Sequence, residues 1–522
     1  MRPLTLLALA ACAPDPIVLD SGTPAQDSPA GDDTGVDSVP TVSASTCTIT
    51  TLAGAPAFSG AQLYATEGDA ISWQIACEES PDAELTLAAP PGSAVWSANA
   101  LTWTPGLADA ARYDLVLVAL IDGEQVPAIA TLWVADAWND PDNVEVDKLT
   151  YAEEFGVPVL NLEVPGNANY SYDVAADLYW QGHQFNVGMQ YRGASSSYYP
   201  KHSFVLSFPP DDEFDAPGWK KRRNLNITST FDDNSYVRQK TCYDLWSALS
   251  ETHPVFQTMM VVVYLNNQYE GLQVITDHID GEWWEDNGGR EDANLYKAVD
   301  HSANLDSRYG GARKSSLTSG YEKKAGDDDW SDLEELVDYV ANSDDATFLS
   351  EMDSRLSRDD FMNWWVFVRF VNGGDSGGKN SYLYHDPLDA AGLWRYTPWD
   401  FNHSLGQDWQ TIRVSADYSE DFTSANRFFD RVFENEDLTA EMHSRMRVAL
   451  DGPFAKETIL AGLDADYAVI DAAARRDWEK WEPQYDDYWG WRGPLEEYDG
   501  EVAYLRQWVA DRWDYMDDFI GP

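Results

Sequence analysis

Within this 522-residue chain, the run Asp375-Ser376-Gly377-Gly378-Lys379-Asn380 constrains the fold most. It follows a helix-patterned stretch that Ser357-Arg-Asp-Asp360 opens with capping-box spacing and that runs through Phe370, rich in Trp and Phe. After it, Ser381–Tyr384 and Leu393–Thr397 read as a β-hairpin whose second arm delivers Trp399-Asp400-Phe401-Asn402. A helix, a glycine-rich loop and a hairpin in this order leave two carboxylates and one amide on neighbouring loops. One carboxylate, Asp375, is suited to take a proton from a hydroxyl. The amide of Asn380 and the carboxylate of Asp400 are hard oxygen ligands of the kind Mg²⁺ prefers. Taken singly, Asp and Asn in such a loop are ordinary turn formers. The arrangement carries the inference.

The length allows two or three domains. An apolar content of 44% with 13% aromatics is ample for a packed core. The 89 acidic residues against 35 basic ones give a net charge of -54, which argues against nucleic acid or anionic membrane as a partner. The ordinary reading of such acidity is a solubilising surface for salty or extracellular surroundings. A preference for basic protein substrates is the other reading.

Residues 1–12, MRPLTLLALAAC, place Arg2 before a short apolar run ending in Leu9-Ala10-Ala11-Cys12. This is the pattern of a bacterial lipoprotein signal cleaved before a lipid-bearing Cys12; a plain secretory signal is the alternative. The run is too short to span a bilayer, and no later segment approaches the ~20 consecutive apolar residues a spanning helix needs. Residues 13–46 hold six Asp among Ser, Thr, Pro, Gly and Ala, with no Lys, Arg or aromatic, so they read as a flexible acidic tether. The expectation is an exported protein at the outer membrane, cell surface or periplasm, touching a membrane only through its lipid. In an oxidising compartment Cys47 and Cys77 are expected to pair. Cys242, inside a helical pattern, reads as a buried apolar residue. No Cys-x-x-Cys or His-x-x-x-His spacing marks a zinc site.

Residues 47–136 read as a small all-β, Ig/cadherin-like sandwich, with short Thr-, Val- and Trp-rich runs between Pro, Gly, Asp and Asn turns. A polar hinge, Trp138–Asn143, leads into a main domain over 148–520. There, strand patterns at Val157–Val164, Gln184–Tyr191 and His202–Phe208 precede an amphipathic helix opened by Asp233-Asn-Ser-Tyr-Val-Arg238. A hairpin follows, Met259–Leu265 and Gly271–Thr276 about the turn Asn266-Asn267-Gln268. Residues 326–350 are acidic and helical. Leu505, Trp508, Val509, Trp513 and Met516 mark a C-terminal amphipathic helix. The fold class expected is α+β.

Phosphoryl transfer needs positioning and charge neutralisation more than covalent chemistry. Lys201, before a strand, could reach nucleotide phosphates, and Arg192, in the Arg-Gly-Ala-Ser-Ser turn, could clamp one bidentately. Lys297 is a further candidate. A solvated strand end for Lys201 and a structural Arg–carboxylate pair for Arg192 are the competing readings. Trp364, Trp365 and Trp399 read as core.

Several segments in order resemble the CotH kinase family (spore-coat protein H-like). They are Tyr191-Arg-Gly-Ala-Ser-Ser…Pro200-Lys201, Asp233-x-Ser-x-x-Arg238, Tyr264-Leu-Asn-Asn…Glu270-Gly271, Leu295-Tyr-Lys297, Asp375…Lys379-Asn380-Ser-Tyr-Leu-Tyr and Pro398-Trp-Asp-Phe-Asn…Gly406. The resemblance implies an atypical two-lobed protein-kinase-like domain that binds ATP with Mg²⁺ (or Mn²⁺) and phosphorylates Ser or Thr of surface or secreted proteins. It implies Asp375 as the catalytic aspartate, Asn380 and Asp400 as metal ligands, and Lys201 with Arg192 at the nucleotide. The acceptor would be a protein, basic or Ser/Thr-rich. Departures from kinases generally are plain. No Gly-x-Gly-x-x-Gly loop is present, the helix after Lys201 offers only Asp244 as an acidic partner, and Asn402 stands where a Gly is usual. A catalytically weak or inactive adhesion or scaffold protein with this fold is the alternative function.

Overall fold

The computed structural model describes residues 46–53, 62–166, 168–389, 391–487 and 496–521. The expected signal, the lipidation site Cys12 and all but the last residue of the tether lie outside the described residues.

Strands between Ile49 and Ala135 form two four-stranded sheets. One runs Ile49–Ala53, Ile71–Cys77, Ala100–Trp103, Val95–Ser97; the other Gln62–Thr66, Glu124–Ala135, Ala111–Ile121, Glu84–Leu87. Two-residue alternation explains the packing. In Ala111–Ile121, Leu115, Leu117 and Ala119 are buried while Asp114, Val116 and Leu120 are exposed. They join Ile75, Leu101, Trp103 and Leu132 in one core. Cys47 and Cys77 are disulfide-bonded, as expected, across 30 residues. In the chain-entropy account a loop of that size adds roughly 3–5 kcal/mol.

Seven strands of the main domain close into a barrel. Around it run Val174–Trp180, His183–Arg192, Ser203–Ser207, Asn224–Ser229, Gln268–Asp277, Thr258–Leu265 and Val157–Glu163. The last pairs back antiparallel onto the first through Leu160↔Trp180, and lies parallel to Thr258–Leu265 through Val159↔Val262. Closure removes exposed edges. Leu160, Leu178, Phe185, Phe204, Leu206, Ile227, Val263 and Ile275 fill the inside. On the outer surface Val262, Tyr264, Leu272 and Val274 pack against helices. Asn266 and Asn267, both at positive φ, make the two-residue hairpin turn.

A second sheet orders Tyr321–Ala325, Asn294–Ala298, Ser381–His385 and Arg395–Pro398, surrounded by helices. The central helix Arg358–Val371 is capped by Ser357, whose Oγ accepts from the Asp360 N–H at 3.4 Å, and ends at Asn372 in the left-handed region. Every residue from Asp360 to Val371 is buried. It is a rigid post ending where the glycine-rich loop begins. The chain is thus α+β. A 32-residue helix, Lys456–Asp487, lies along the barrel. Sequence periodicity did not expose it.

The segment expected as a hinge is fastened instead. Trp138 stacks on Tyr269 at 5.7 Å, and Asn143 donates to Asp136 at 3.1 Å. Arg476 of the long helix donates to the Asp136 carbonyl and pairs with buried Glu154. Burial pushes the Asp136 carboxyl up to about 6.

Candidate active site

The glycine-rich loop is pressed against its surroundings. A Cβ on Gly378 would meet the Ala425 carbonyl oxygen at 2.3 Å and Asn304 Cα at 3.4 Å, so only glycine fits there. The loop holds Asp375 half-buried between an imidazole and an ammonium group. His301 Nε2 lies 3.2 Å from Oδ1, and Lys379 Nζ lies 2.9 Å from Oδ2. Burial works to raise this carboxyl's pKa, but the His301 hydrogen bond and the Lys379 ammonium outweigh it and hold it below the usual carboxylate value.

Asn380 donates its side-chain N–H to Asp375 Oδ2 and to Ser376 Oγ, each at 3.3 Å. That commits the nitrogen to the proposed base and leaves the carbonyl oxygen as the group available to a cation. Its backbone brings the second loop in. The Trp399 N–H donates to the Asn380 carbonyl at 2.9 Å, which sets the Asp400 turn beside Asn380. Asp400 adopts a left-handed backbone with φ 62°, is exposed, and donates its N–H to the Tyr243 hydroxyl at 3.3 Å. Non-glycine residues at such angles are uncommon and collect at functional sites.

Facing this turn is a pair of cations on one aromatic ring. The Arg192 guanidinium lies 4.9 Å and the Lys297 ammonium 5.2 Å from the Trp399 centroid. Lys297 also sits 5.8 Å from the Tyr382 ring. Arg192 also donates to the Thr228 hydroxyl at 3.5 Å, and neither cation makes an ion pair among the described residues. Burial, then the Arg192 charge, push Lys297 down to about 8, with Asp400 acting in the opposite direction. Burial with Arg192, Lys297 and Lys324 likewise pushes His278 down to about 3. In a chain so rich in acids, these two cations beside an exposed carboxylate have no ion-pair partner among the described residues. The competing reading of Arg192 as a carboxylate partner does not hold here, and Trp399, buried in the core as expected, is also the platform beneath both charges.

Lys201 is placed differently from its expectation at the phosphates. Its ammonium is wholly buried and spends its donors on Thr230 Oγ1 at 2.8 Å, the Leu272 carbonyl at 2.7 Å and Asp477 Oδ2 at 2.5 Å. Asp477, on the long helix, also accepts from the Leu272 N–H at 2.7 Å and the Tyr236 hydroxyl at 3.0 Å. Asp244, the acidic partner that the helix after Lys201 offers, pairs with Lys240 instead. Direct contact between Lys201 and a phosphate would require opening this network.

Asp232, His403 and Arg238 complete the surroundings. Asp232 Oδ2 accepts from Asn402 Nδ2 and His403 Nε2, both at 2.8 Å, and from the Tyr199 hydroxyl at 3.1 Å. It thereby joins the loop between Arg192 and Lys201 to the loop after Asp400. Burial works against the His403 charge, but Asp232, then Asp400 and Asp375, hold its pKa above the ordinary imidazole value. Buried Arg238 donates to Asp233 Oδ1 at 2.6 Å and to the Ser404 carbonyl at 3.2 Å, and pairs with Glu501. The Asp233-x-Ser-x-x-Arg238 run is therefore scaffold for the Asp400 loop. His301, His403, Asp232 and Asp477 escaped sequence reasoning. Only His403, directly after Asn402, carried a signal that could have found it.

Among the described residues no group of three or more His, Cys, Asp or Glu is arranged to hold a metal ion. A cation shared with nucleotide phosphates asks less, since Mg²⁺ commonly takes one or two carboxylates and fills its shell with phosphate oxygens and water. Exposed Asp400 and the uncommitted carbonyl of Asn380 fit that demand.

Residues 189–516 match the family model described as CotH kinase protein. The chain is also 23% identical over 342 residues to the inner spore coat protein H of Bacillus subtilis (strain 168), covering 65% of this chain and 88% of that one. Helix, glycine-rich loop, hairpin and Asp400 turn all fall inside the matched stretch, and the chain belongs to the CotH kinase family.

Proposed function

We propose that this protein transfers the terminal phosphoryl group of ATP, with Mg²⁺ or Mn²⁺, to Ser or Thr hydroxyls of exported or surface proteins. The carrying observation is the Arg192–Lys297 pair over Trp399, unpaired with acid and facing Asp400. A polyphosphate supplies the missing counter-charge, and charge-assisted contacts of this kind are the strong ones. The bound divalent ion would neutralise charge on the transferring phosphoryl group. Asp400 and Asn380 would hold it, Arg192 and Lys297 would grip phosphate oxygens, and Asp375 would orient the acceptor hydroxyl and take its proton as the new O–P bond forms. Lys201 acts at one remove, by fixing Asp477 and the long helix against the barrel. In a two-lobed kinase-like domain this site would lie between the barrel and the helical part.

Export, and anchoring through Cys12, remain part of the proposal. A spore-coat relative and an all-β sandwich ahead of the matched stretch favour a surface setting, and no described helix is long and apolar enough to cross a membrane. The competing reading is a surface scaffold without turnover, favoured by how firmly the sandwich is pinned to the main domain through Arg476.

The test is ³²P transfer from labelled ATP, with and without divalent metal, alongside melting temperature in Mg-ATP. At about 100 times the dissociation constant, nucleotide adds ~2.7 kcal/mol of stability. Metal-dependent labelling that Asp400→Ala abolishes supports the assignment. Labelling unchanged in that variant sinks it, and a nucleotide-induced shift without labelling selects the scaffold.

A further inference from the structure

Most cations of this acidic chain hold a carboxylate, and those that do not are informative. Among the described residues the exposed arginines are Arg112, Arg308, Arg313, Arg413 and Arg475. Arg112, Arg413 and Arg475 each pair with an acid. Arg308 and Arg313 do not, although acids outnumber bases 89 to 35 along the chain. They are register partners in the two-stranded ribbon Arg308–Tyr309 and Ala312–Arg313, turned by Gly310 and Gly311 at positive φ. All six residues are exposed, and Tyr309 keeps 48% of its surface in solvent. From position 301 to 324 the chain carries five basic residues against two acidic ones, the reverse of its overall balance.

This ribbon hangs from the catalytic loop. Its base is held by Asn304, whose amide donates to the Arg308 carbonyl at 2.9 Å and whose Cα abuts Gly378. Three residues before it, His301 touches Asp375. Lys314, just past the ribbon, donates to the Ser302 carbonyl at 2.8 Å and closes the base. Arg308 spends one N–H on the Gly311 carbonyl at 2.6 Å and keeps its other donors, so two guanidinium groups without an acid partner are tethered to the segment whose His301 touches the proposed proton acceptor. They are separate from the Arg192–Lys297 pair, which faces Asp400.

We propose that the Arg308–Arg313 ribbon docks an acidic polypeptide segment of the acceptor protein, next to the hydroxyl presented to Asp375. This rests on the kinase reading above and names its substrate class. It departs from the expectation of a basic acceptor, which net charge alone suggested. Net charge acts at long range, and at about 0.15 M salt screening confines it to ~8 Å. Within that distance the peptide meets the ribbon's own field. Guanidinium forks match carboxylates bidentately, so Asp- or Glu-rich flanks suit them.

Direct binding to the full chain tests this without requiring turnover. Three fluorescein-labelled Ser-centred peptides, flanked by Asp/Glu, by Asn/Gln or by Lys/Arg, are titrated by anisotropy at 0.15 M NaCl. They are titrated against wild type, against Arg308→Glu/Arg313→Glu, and against an Arg112→Glu control. The acidic peptide is expected to bind best. Charge reversal on the ribbon is expected to weaken it by at least about tenfold, while the control and the Mg-ATP-induced melting shift stay unchanged. Equal or tighter binding of the basic peptide, or indifference to the ribbon reversal, overturns the proposal. Preferential retention of a single-stranded oligonucleotide would overturn it too. Acidic-peptide binding without phosphate transfer would sink the kinase reading and leave the docking surface standing. Transfer that ignores peptide charge would do the opposite.

Discussion

Lys201 and Asp477 stand 276 residues apart in the chain and meet at 2.5 Å with no solvent exposure on either side chain. The pair locks the long helix to the barrel wall at Leu272. Removing one partner of such a pair leaves an uncompensated buried charge and costs about 3–5 kcal/mol. Lys201→Met or Asp477→Leu should each lower stability by that order in urea denaturation. The double variant should recover part of the loss. Gly271 shares the site, because its φ is +101° and a Cβ there would lie 2.0 Å from Asp477 Oδ2. Gly271→Ala should therefore mimic Asp477→Leu.

Nucleotide affinity should depend on Arg192 and Lys297 separately from stability. Arg192→Ala and Lys297→Ala each delete a charge-assisted contact of roughly 1.5–3 kcal/mol, or about ten- to a hundredfold in ATP affinity. Melting temperature without nucleotide should change little. Arg192→Lys should rescue only partly, because it loses the planar fork. The Mg-ATP-induced melting shift is the measurement.

The same pair sets a pH limb. Lys297 titrates at about 8, so its charge is present below that pH and disappears above it. Affinity for ATP should fall as pH rises through 8, and Arg192→Ala should move the limb upward by removing a like charge. Stability without ligand runs the other way. The unfolded lysine still holds its proton up to ~10.4, so this residue's contribution rises with pH between about 8 and 10.4. Titrating ATP affinity from pH 7 to 9 in both proteins checks the sign.

Asp375→Asn should reduce phosphate transfer by about 10²–10⁴-fold while leaving the Mg-ATP-induced melting shift intact, because the residue is assigned to the acceptor and not to the nucleotide. His301→Gln should keep a donor to Asp375 and retain most of the rate. His301→Ala should raise the carboxyl's pKa by removing its hydrogen bond. Rates against pH for the three variants separate these outcomes.

The His403–Asp232 contact should also leave a stability signature. Folding raises the His403 pKa, so its contribution is fully present below the unfolded value near 6.5 and is lost as pH rises through the folded one. The melting-temperature advantage of wild type over His403→Gln should shrink across that window. A constant difference from pH 6 to 9 would refute the assignment.

Local chemistry was legible without a fold. Capping at Ser357, the Asn266-Asn267 turn, the disulfide, strand alternation in the sandwich, and the hairpin between Asn380 and Asp400 all follow from residue types and short spacings. The loop-and-hairpin order around Asp375 also pointed to the family. Other elements resisted for physical reasons. The strand patterns read from the sequence did not include Val174–Trp180 or Asn224–Ser229. Barrel closure depends on the parallel Val157–Glu163/Thr258–Leu265 ladder, which links segments about a hundred residues apart and leaves no local mark.

Sequence alone nominated the side chains proposed for acid–base and phosphate chemistry, because Asp375, Asn380, Asp400 and Arg192 are recognisable by type and order. Tertiary packing decided which cations are free to act. It buried Lys201 against a helix that the sequence hid, placed Lys297 beside Arg192 on Trp399, and left Arg308 and Arg313 without an acid partner among the described residues. Whether a charge is spent on a neighbour or kept for a ligand depends on three-dimensional proximity and burial. Neither is written in residue spacing.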